Sequence, residues 1–513
     1  MNDSLPQTAL VRTLPPDSAL SNSHHGPENY HYYRRNTAYE DGVPRYFNNP
    51  WPSYRSPSLG DAYRAYNLGA AIAHPAPRKL AGLHRTKSGI SINEGSHPLK
   101  CEDGEEAPRL EKKGWLPEAT YVRPIFAEVF EDDDEEEDWR DPPVRVVQPQ
   151  WGGVGDKGEK ETVTWLGHAG VLVQVPWRNE SRDGMCGVLF DPIFSYRCSP
   201  SQYVGPARHV EPPCSVSLLP EIHVCCISHD HYDHLDYYTI MDLWKYHQKT
   251  IHFLVPLALK PWFVSSGIPE DRVTELDWWS ETLLTFPSPT PPSPSAPAFQ
   301  EETWESTDLV LKFAFTPAQH RSGRGLLDHM KTLWGSWMFG VVGKPEWEKR
   351  EERGMKDWTG FKCFFGGDTG YRYATAASDG DDDAICPAFE EIASHYAPVS
   401  LSLLPLNTGS SLPFLRTILS LSLDQYTLTS SQHCSPGDSL EIHRIMRAER
   451  SVGMHWGTFC DRDESRGTRV EFGRGRRERG VGKRWTGEEV EERGEEGRGR
   501  FVLADIGETL VFP

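Results

Sequence analysis

The sequence predicts an α/β protein arranged as a four-layer αβ/βα sandwich, two β-sheets each covered by helices. Three observations carry that expectation. Short runs of apolar, β-branched and aromatic residues recur between turn signals from about residue 160 to the C-terminus. Helical patterns separate several of the later runs, which puts helices against the sheets. Histidines and aspartates collect where those runs end, so strand ends carry the chemistry. With 513 residues the chain is long enough for more than one domain, and one large domain with insertions accommodates it equally.

Residues 1–44 are polar and rich in Pro, Ser, Asn and His, and are expected to be disordered. Residues 45–84 turn aromatic and proline-rich, as in Asn49-Pro50-Trp51-Pro52-Ser53-Tyr54, and are expected to dock as an arm on the core. Residues 85–143 read as an acidic linker: between 101 and 141 sixteen Asp/Glu face five Lys/Arg, a net of −11. The folded domain is placed at 144–513, with insertions near 287–305, 343–359 and 461–500. The first of these is a proline-serine tract and the last carries one charged helix.

Within that domain Thr162 to Leu166, Val171 to Val175 and Gly187 to Phe190 read as three strands, with Gly167-His168-Ala169-Gly170 turning between the first two. Val224 to Ile227 is a buried strand that runs into Ser228-His229-Asp230-His231-Tyr232-Asp233-His234, and Leu235 to His247 is helical in pattern. His252 to Pro256, Val273 to Leu276, Leu309 to Thr316, Thr332 to Phe339, Lys362 to Phe365 and Leu401 to Leu406 continue the strand series. Ser435-Pro436-Gly437-Asp438 opens a helix, Ser451 to Met454 delivers His455, and Phe501 to Ala504 and Thr509 to Phe512 return as strands.

Three imidazoles and two carboxylates fall within His229 to His234. In an extended stretch His229 and His231 point the same way and can reach one metal at roughly 2.0–2.1 Å, while Asp233 and His234 lie in the turn that follows, where a second metal could sit. Further strand ends offer His320, Asp368 between glycines in Gly366-Gly367-Asp368-Thr369-Gly370, and His455. The metal candidates are thus His229, His231, Asp233, His234, His320, Asp368 and His455. Asp191 could be a ligand, but a carboxylate at a strand end more often orients a neighbouring imidazole, and His168 is read the same way.

The formal charge of −20 argues against a nucleic-acid backbone as partner, which needs clustered Lys and Arg. Ten cysteines without repeating spacing give neither a disulfide framework nor a zinc ribbon, and fit a reducing compartment. No run approaches the ~18–20 apolar residues of a membrane span. The expected location is intracellular, cytoplasmic or peripheral to a membrane. The apolar stretch Leu412 to Leu423 reads either as a core helix or as a segment dipping into a membrane surface.

The pattern His-x-His-x-Asp-His closing a strand, followed by a His, a Gly-Asp and a final His, resembles the signature of the metallo-β-lactamase superfamily. Beyond it NPWPSY at 49–54, TWLGHAG at 164–170, DPIFSYRCSPSQYVGPAR at 191–208, TPAQH at 316–320, TLWGSW at 332–337, GDTGYR at 367–372, HCSPGDS at 433–439 and GMHWGTF at 453–459 resemble the N-acyl-phosphatidylethanolamine-hydrolysing phospholipase D family. The resemblance implies two zinc ions per chain, one held by His229, His231 and His320, the other by Asp233, His234 and His455, with Asp368 bridging. It gives Asp233 and Asp368 as candidate catalytic carboxylates and Tyr232, Gln432 and His433 as contacts to the substrate head group. It also implies a phospholipid substrate at a membrane surface, no nucleic acid, and a possible homodimer.

Two zinc ions about 3.5–4 Å apart would acidify a shared water to a hydroxide and clamp an in-line displacement at phosphorus, releasing N-acylethanolamine and phosphatidic acid. Histidine-carboxylate sites also accept iron and manganese. The chain departs from the family after Leu404-Pro405, where Leu406-Asn407-Thr408-Gly409 leads into LPFLRTILSLSL, which touches on substrate range. The alternative on the same metals is a hydrolase of a soluble lactone or phosphorylated sugar.

Overall fold

The computed structural model describes residues 9–14, 39–40, 43–44, 46–65, 84–86, 89–91, 138–152, 160–179, 182–287, 307–325, 327–348, 358–378, 380–381, 384–407, 424–486 and 499–513. In chain order the main strands are β1 (Leu10–Thr13), β2 (Thr162–Gly167), β3 (Gly170–Asn179), β4 (Arg182–Phe190), β5 (Ile222–Cys226), β6 (His252–Pro256), β7 (Val273–Leu276), β8 (Glu281–Pro287), β9 (Thr307–Thr316), β10 (Ser336–Val341), β11 (Lys362–Phe365), β12 (Leu401–Pro405), β13 (Arg450–Met454), β14 (Arg500–Val502) and β15 (Thr509–Val511). They form a seven-stranded sheet, β7-β6-β5-β4-β3-β2-β15, and an eight-stranded sheet, β1-β8-β9-β10-β11-β12-β13-β14. Both are mixed: β4 to β7 run parallel in the first, β11 to β14 in the second.

The period of two in β3 sorts its side chains. Val171, Val173 and Val175 face the inter-sheet core with Phe190, Phe313, Phe339 and Phe365, whereas Leu172 faces the opposite layer with Leu189 and Phe253. Phe190 lies across the interface, its ring stacked 4.7 Å from Phe365 and tilted 5.8 Å from Phe339. Helix α1 (Tyr237–His247) and helix α2 (Lys260–Ser265) cover the first sheet with Ile240, Leu243 and Phe263. The other outer layer is α3 (Ala388–Tyr396), α4 (Pro436–Ile445) and α5 (Arg462–Glu478), which bury Phe389, Ile392, Leu440 and Phe472. The four-layer expectation is met.

Caps set where the helices begin. The Asp236 carboxylate accepts from Thr239 N and starts α1 two residues after His234. Ser435 and Asp438 form a reciprocal capping box at α4.

Four segments differ from the sequence expectation. Leu10–Thr13, inside the expected disordered stretch, pairs antiparallel with β8, and adjacent Leu14 is buried with Leu283, Val310, Val342 and Trp347. The strand β8 itself carries Leu283, Leu284 and Phe286 among threonines without a period of two, and went unread. Arg462–Glu478, placed within an insertion, docks on the core through Phe472, with the Asp138 carboxylate paired to Arg477. The turn Lys344–Glu348 likewise buries Trp347. The proline-serine tract, the Glu131 to Glu137 acidic run and Leu412 to Leu423 lie outside the described residues.

Candidate metal centre

Every candidate ligand leaves the C-terminal end of a strand, so both sheets deliver their chemistry to one edge, and Gln432 and His433 reach it from the turn between two helices. β4 ends at Asp191, β5 at Ser228 to His234, β9 at Gln319-His320, β11 at Asp368, β12 at Asn407 and β13 at His455. The seven residues proposed as ligands come together there, from positions up to 226 residues apart: six in two donor clusters, the second of which also holds His168, and Asp368 grouped with His320 and His433.

In the first cluster His231 Nδ1 lies 2.9 Å from His229 Nε2 and 3.2 Å from His320 Nε2. The other ring nitrogens are committed: His320 Nδ1 donates to the Gln432 carbonyl at 2.9 Å, and His229 Nδ1 donates at 2.9 Å to Ser228 Oγ, which itself donates to Asp191. A carbonyl can only accept, so the lone pair of His320 is left on Nε2. Burial among neighbouring imidazoles holds His229 and His320 well below the usual histidine range and His231 at about 4. The lone pairs of His229 and His320 thus face His231 Nδ1 across these short distances.

In the second cluster His234 Nε2 and His455 Nε2 stand 3.1 Å apart, with Asp233 Oδ2 3.9 and 3.8 Å from them. His234 Nδ1 donates to Asp191 Oδ2 at 2.7 Å and His455 Nδ1 to the Asn407 carbonyl at 3.1 Å. Their facing nitrogens would repel unless a positive charge sat between them. Burial opposes a proton on His234, but Asp233, Asp191 and Asp368 outweigh it and hold its pKa up at about 9, while burial pushes His455 down to about 3. Without a metal the position belongs to one proton.

Asp368 joins the clusters. Its Oδ2 is 3.4 Å from His320 Nε2, 3.5 Å from His455 Nε2 and 3.9 Å from His234 Nε2, and its Oδ1 accepts from His433 Nδ1 at 3.0 Å. Atoms bound to a tetrahedral metal at roughly 2.0–2.1 Å stand about 3.3 Å from one another. The donor spacings of 2.9–3.9 Å bracket that value, so the residues fit two metal ions sharing Asp368. Burial would raise the Asp233 and Asp368 carboxyls, yet His234 and His168 beside the first and His433, His455 and His320 beside the second hold both well below the usual range.

The glycines around Asp368 are required by close approach. Gly367 has φ +62°, and a Cβ there would lie 2.9 Å from Ser228 Cβ; a Cβ on Gly370 would lie 2.4 Å from the Ser431 carbonyl carbon. The motif therefore wedges between the His229 and His433 segments. His168, Asp191 and His455 also adopt positive φ, at 48°, 36° and 60°, a strained state for residues with a Cβ that recurs at functional sites. It is held by bonds from His455 N to His168 O at 2.9 Å, His168 N to Thr458 Oγ1 at 2.6 Å and Asp191 N to Cys226 O at 3.1 Å.

Asp191 and His168 stand against the clusters: the first accepts from His234 and from the Ser228 backbone, the second donates to Asp233 Oδ2 at 3.0 Å, and both lie within reach of the candidate ligand atoms. Tyr232 packs beside Ile193, Cys198 and Phe459, with the Arg324 guanidinium 4.4 Å over its ring. Gln432 enters through its carbonyl, on His320, and His433 through Asp368. Sequence reasoning missed Asn49, Ser53, Gln319 and Asn407. Their motifs were visible, but nothing local ties an arm near residue 50 to a strand end near 320.

A model of the beta-lactamase superfamily domain matches residues 187–456, more than half of the chain, and all seven candidate ligands lie inside that match. The chain belongs to the metallo-β-lactamase superfamily. As a member it has a metal-dependent hydrolase centre made of histidine and aspartate. Among curated relatives, N-acyl-phosphatidylethanolamine-hydrolyzing phospholipase D 1 of Caenorhabditis elegans is 30% identical over 302 residues, 58% of this chain and 64% of that protein. An uncharacterized Mycobacterium tuberculosis protein is 31% identical over 300 residues, 58% of this chain and 59% of its own. The mitochondrial N-acyl-phosphatidylethanolamine-hydrolyzing phospholipase D of Saccharomyces cerevisiae is 27% identical over 273 residues, 53% of this chain and 44% of that protein. These matches span less than two thirds of each relative. Among solved structures, the metallo hydrolase Igni18 of Ignicoccus hospitalis aligns with 15% identity over 69% of this chain and 99% of its own, with a TM-score of 0.34. The diiron β-hydroxylase CmlA of Streptomyces venezuelae aligns with 17% identity over 69% of this chain and 54% of its own, with a TM-score of 0.40. Among the described residues of this superfamily member, no helix is long and apolar enough to cross a membrane.

Proposed function

We propose that this protein is a dinuclear zinc phosphodiesterase of the phospholipase D type, hydrolysing N-acyl-phosphatidylethanolamine to N-acylethanolamine and phosphatidic acid at a membrane surface. The observation that carries this reading is the Asp368 carboxylate between two donor clusters, 3.4 Å from His320 on one side and 3.5 Å from His455 on the other. The substrate class is supported by the phospholipase D relatives in worm and yeast.

Two zinc ions in these clusters would supply an acidified water and a double positive charge against the phosphodiester. The protein's part is orientation. Asp191 and Ser228 hold His234 and His229 in the tautomers whose Nε2 faces inward, and His433 holds one Asp368 oxygen so that the other stays between the clusters. His229, His234, His320 and His455 are buried, whereas His231, Tyr232, Asp233 and His433 are partly exposed. The centre therefore opens on the side of Tyr232 and His433, where a head group would enter and where we place their contacts with it.

The test is release of phosphatidic acid from N-acyl-phosphatidylethanolamine in mixed micelles by the purified full chain with quantified bound metal, beside a His231→Ala/Asp233→Asn double variant. Release by the native protein alone is expected. Two bound metals with untouched lipid, and turnover of a soluble lactone or sugar phosphate instead, would overturn the substrate assignment.

A further inference from the structure

We infer that the N-terminal arm, residues 46–65, is a working part of the metal centre, coupled to it through a hydrogen bond from Ser53 to Gln319. The inference builds on the two-metal reading and assigns Asn49, Ser53 and Gln319 as positioning residues. Gln319 and Ser53 are both fully buried. Ser53 Oγ donates to Gln319 Oε1, and Gln319 Nε2 donates to the Ser431 carbonyl at 3.0 Å. The Gln319 backbone N–H donates to Thr369 Oγ1 at 2.9 Å, and its carbonyl accepts from Gly370 N at 2.8 Å. One residue thus joins the segment of His320, the turn of Asp368 and the turn of Gln432-His433 to the arm.

The arm makes further ties to the same places. Asn49 Nδ2 donates to the carbonyl of His320 itself, and the Arg55 carbonyl accepts from Ser431 Oγ at 2.9 Å. Trp51 stacks 5.5 Å from Trp278, which anchors it to the core. Buried amide bonds of this kind have fixed directions, so undocking the arm leaves Gln319 Oε1 unpaired and lets its side chain turn, and His320 follows. Coupling between two binding events is reciprocal: if arm docking favours metal binding, metal binding must favour arm docking by the same factor.

That reciprocity is the test, and neither readout involves a substrate, so it stands whether or not the phospholipase reading does. Amide hydrogen exchange of residues 46–65 is compared in the zinc-loaded and zinc-stripped full chain, and zinc affinity is measured by chelator competition for native protein, Ser53→Ala and Gln319→Glu. Stripping is expected to speed exchange in the arm about tenfold or more. Ser53→Ala is expected to weaken the tighter of the two zinc sites or its neighbour at least about threefold. Gln319→Glu, which keeps the acceptor for Ser53 and loses the donor to Ser431, is expected to weaken it by about 10–100-fold, the range for groups that orient metal ligands. Exchange in the arm that ignores zinc overturns the inference, and that comparison needs no variant to fold. Native affinity at both sites in Ser53→Ala overturns it as well.

Discussion

Replacing Asp191 by Asn changes one oxygen to an NH2 group at a position with no exposure, and the surroundings leave that group nowhere to go. Oδ1 accepts from Ser228 N at 2.7 Å, and Oδ2 accepts from both Ser228 Oγ and His234 Nδ1, the latter at 2.7 Å. With the amide nitrogen toward Ser228 N, two donors face each other and one stays unpaired, at about 1–3 kcal/mol. With the nitrogen toward His234, the imidazole can accept only by moving its own proton to Nε2, the atom that faces His455 and the second metal position. That second orientation keeps the acceptor for Ser228 N, and in it the second position suffers more than the first. Loss of a group that orients a metal ligand weakens binding about 10–100-fold, or about 1.4–2.8 kcal/mol. The assay is zinc stoichiometry and affinity of Asp191→Asn by chelator competition. The expected result is one site near native affinity and one weakened by that factor; native affinity at both sites would refute the argument that Asp191 sets the His234 tautomer.

Zinc loading at pH 7 is expected to release about two protons per chain, one from His234, which keeps its proton up to about 9 while the other cluster imidazoles are already neutral, and one from the water that two ions would acidify. Calorimetry in buffers of different ionisation enthalpy measures the number, and three or more would contradict the assignment. His252, buried against Thr274 Oγ1 at 2.8 Å, is pushed down to about 4 chiefly by burial and by Arg272. Its neutral form is the folded one, so its contribution is complete above about pH 6.5 and is lost as pH falls toward 4, about 2–3 kcal/mol by pH 4.5. Urea unfolding of zinc-stripped His252→Gln should show a correspondingly flatter acid slope than the native protein. Lys312 is buried at 2.8 Å from Glu281, whose other oxygen accepts from Tyr396 at 2.8 Å. Lys312→Ala strands that carboxylate and is expected to destabilise by about 3–5 kcal/mol, much of it recovered in Lys312→Met/Glu281→Leu, as measured by denaturant unfolding.

Most of the sandwich was legible because its strands are short apolar runs ended by turn residues, and because the residues that matter stand at those ends. The six residues His229 to His234 pointed to a metal centre on spacing alone, and the bond from His234 Nδ1 to Asp191 is of the kind a strand-end carboxylate usually makes. The parts that went unread share a physical cause. Leu10–Thr13 is a strand only because β8 offers it an edge, and Arg462–Glu478 is polar enough to pass for a solvated helix until Phe472 and the Asp138–Arg477 pair dock it. Gln319 in TPAQH is one residue from a ligand, yet its role comes from Ser53, Thr369 and Ser431, which are 266, 50 and 112 residues away. Periodicity reports which face of an element is buried and is silent about which distant segment buries it.

The account stands on two metal ions sharing Asp368, and diffraction from zinc-loaded crystals at the zinc absorption edge tests that most directly. It expects two anomalous peaks about 3.5–4 Å apart, one within bonding distance of His229, His231 and His320, the other of Asp233, His234 and His455, with Asp368 reaching both. A single peak, or two that leave Asp368 unshared, would contradict it.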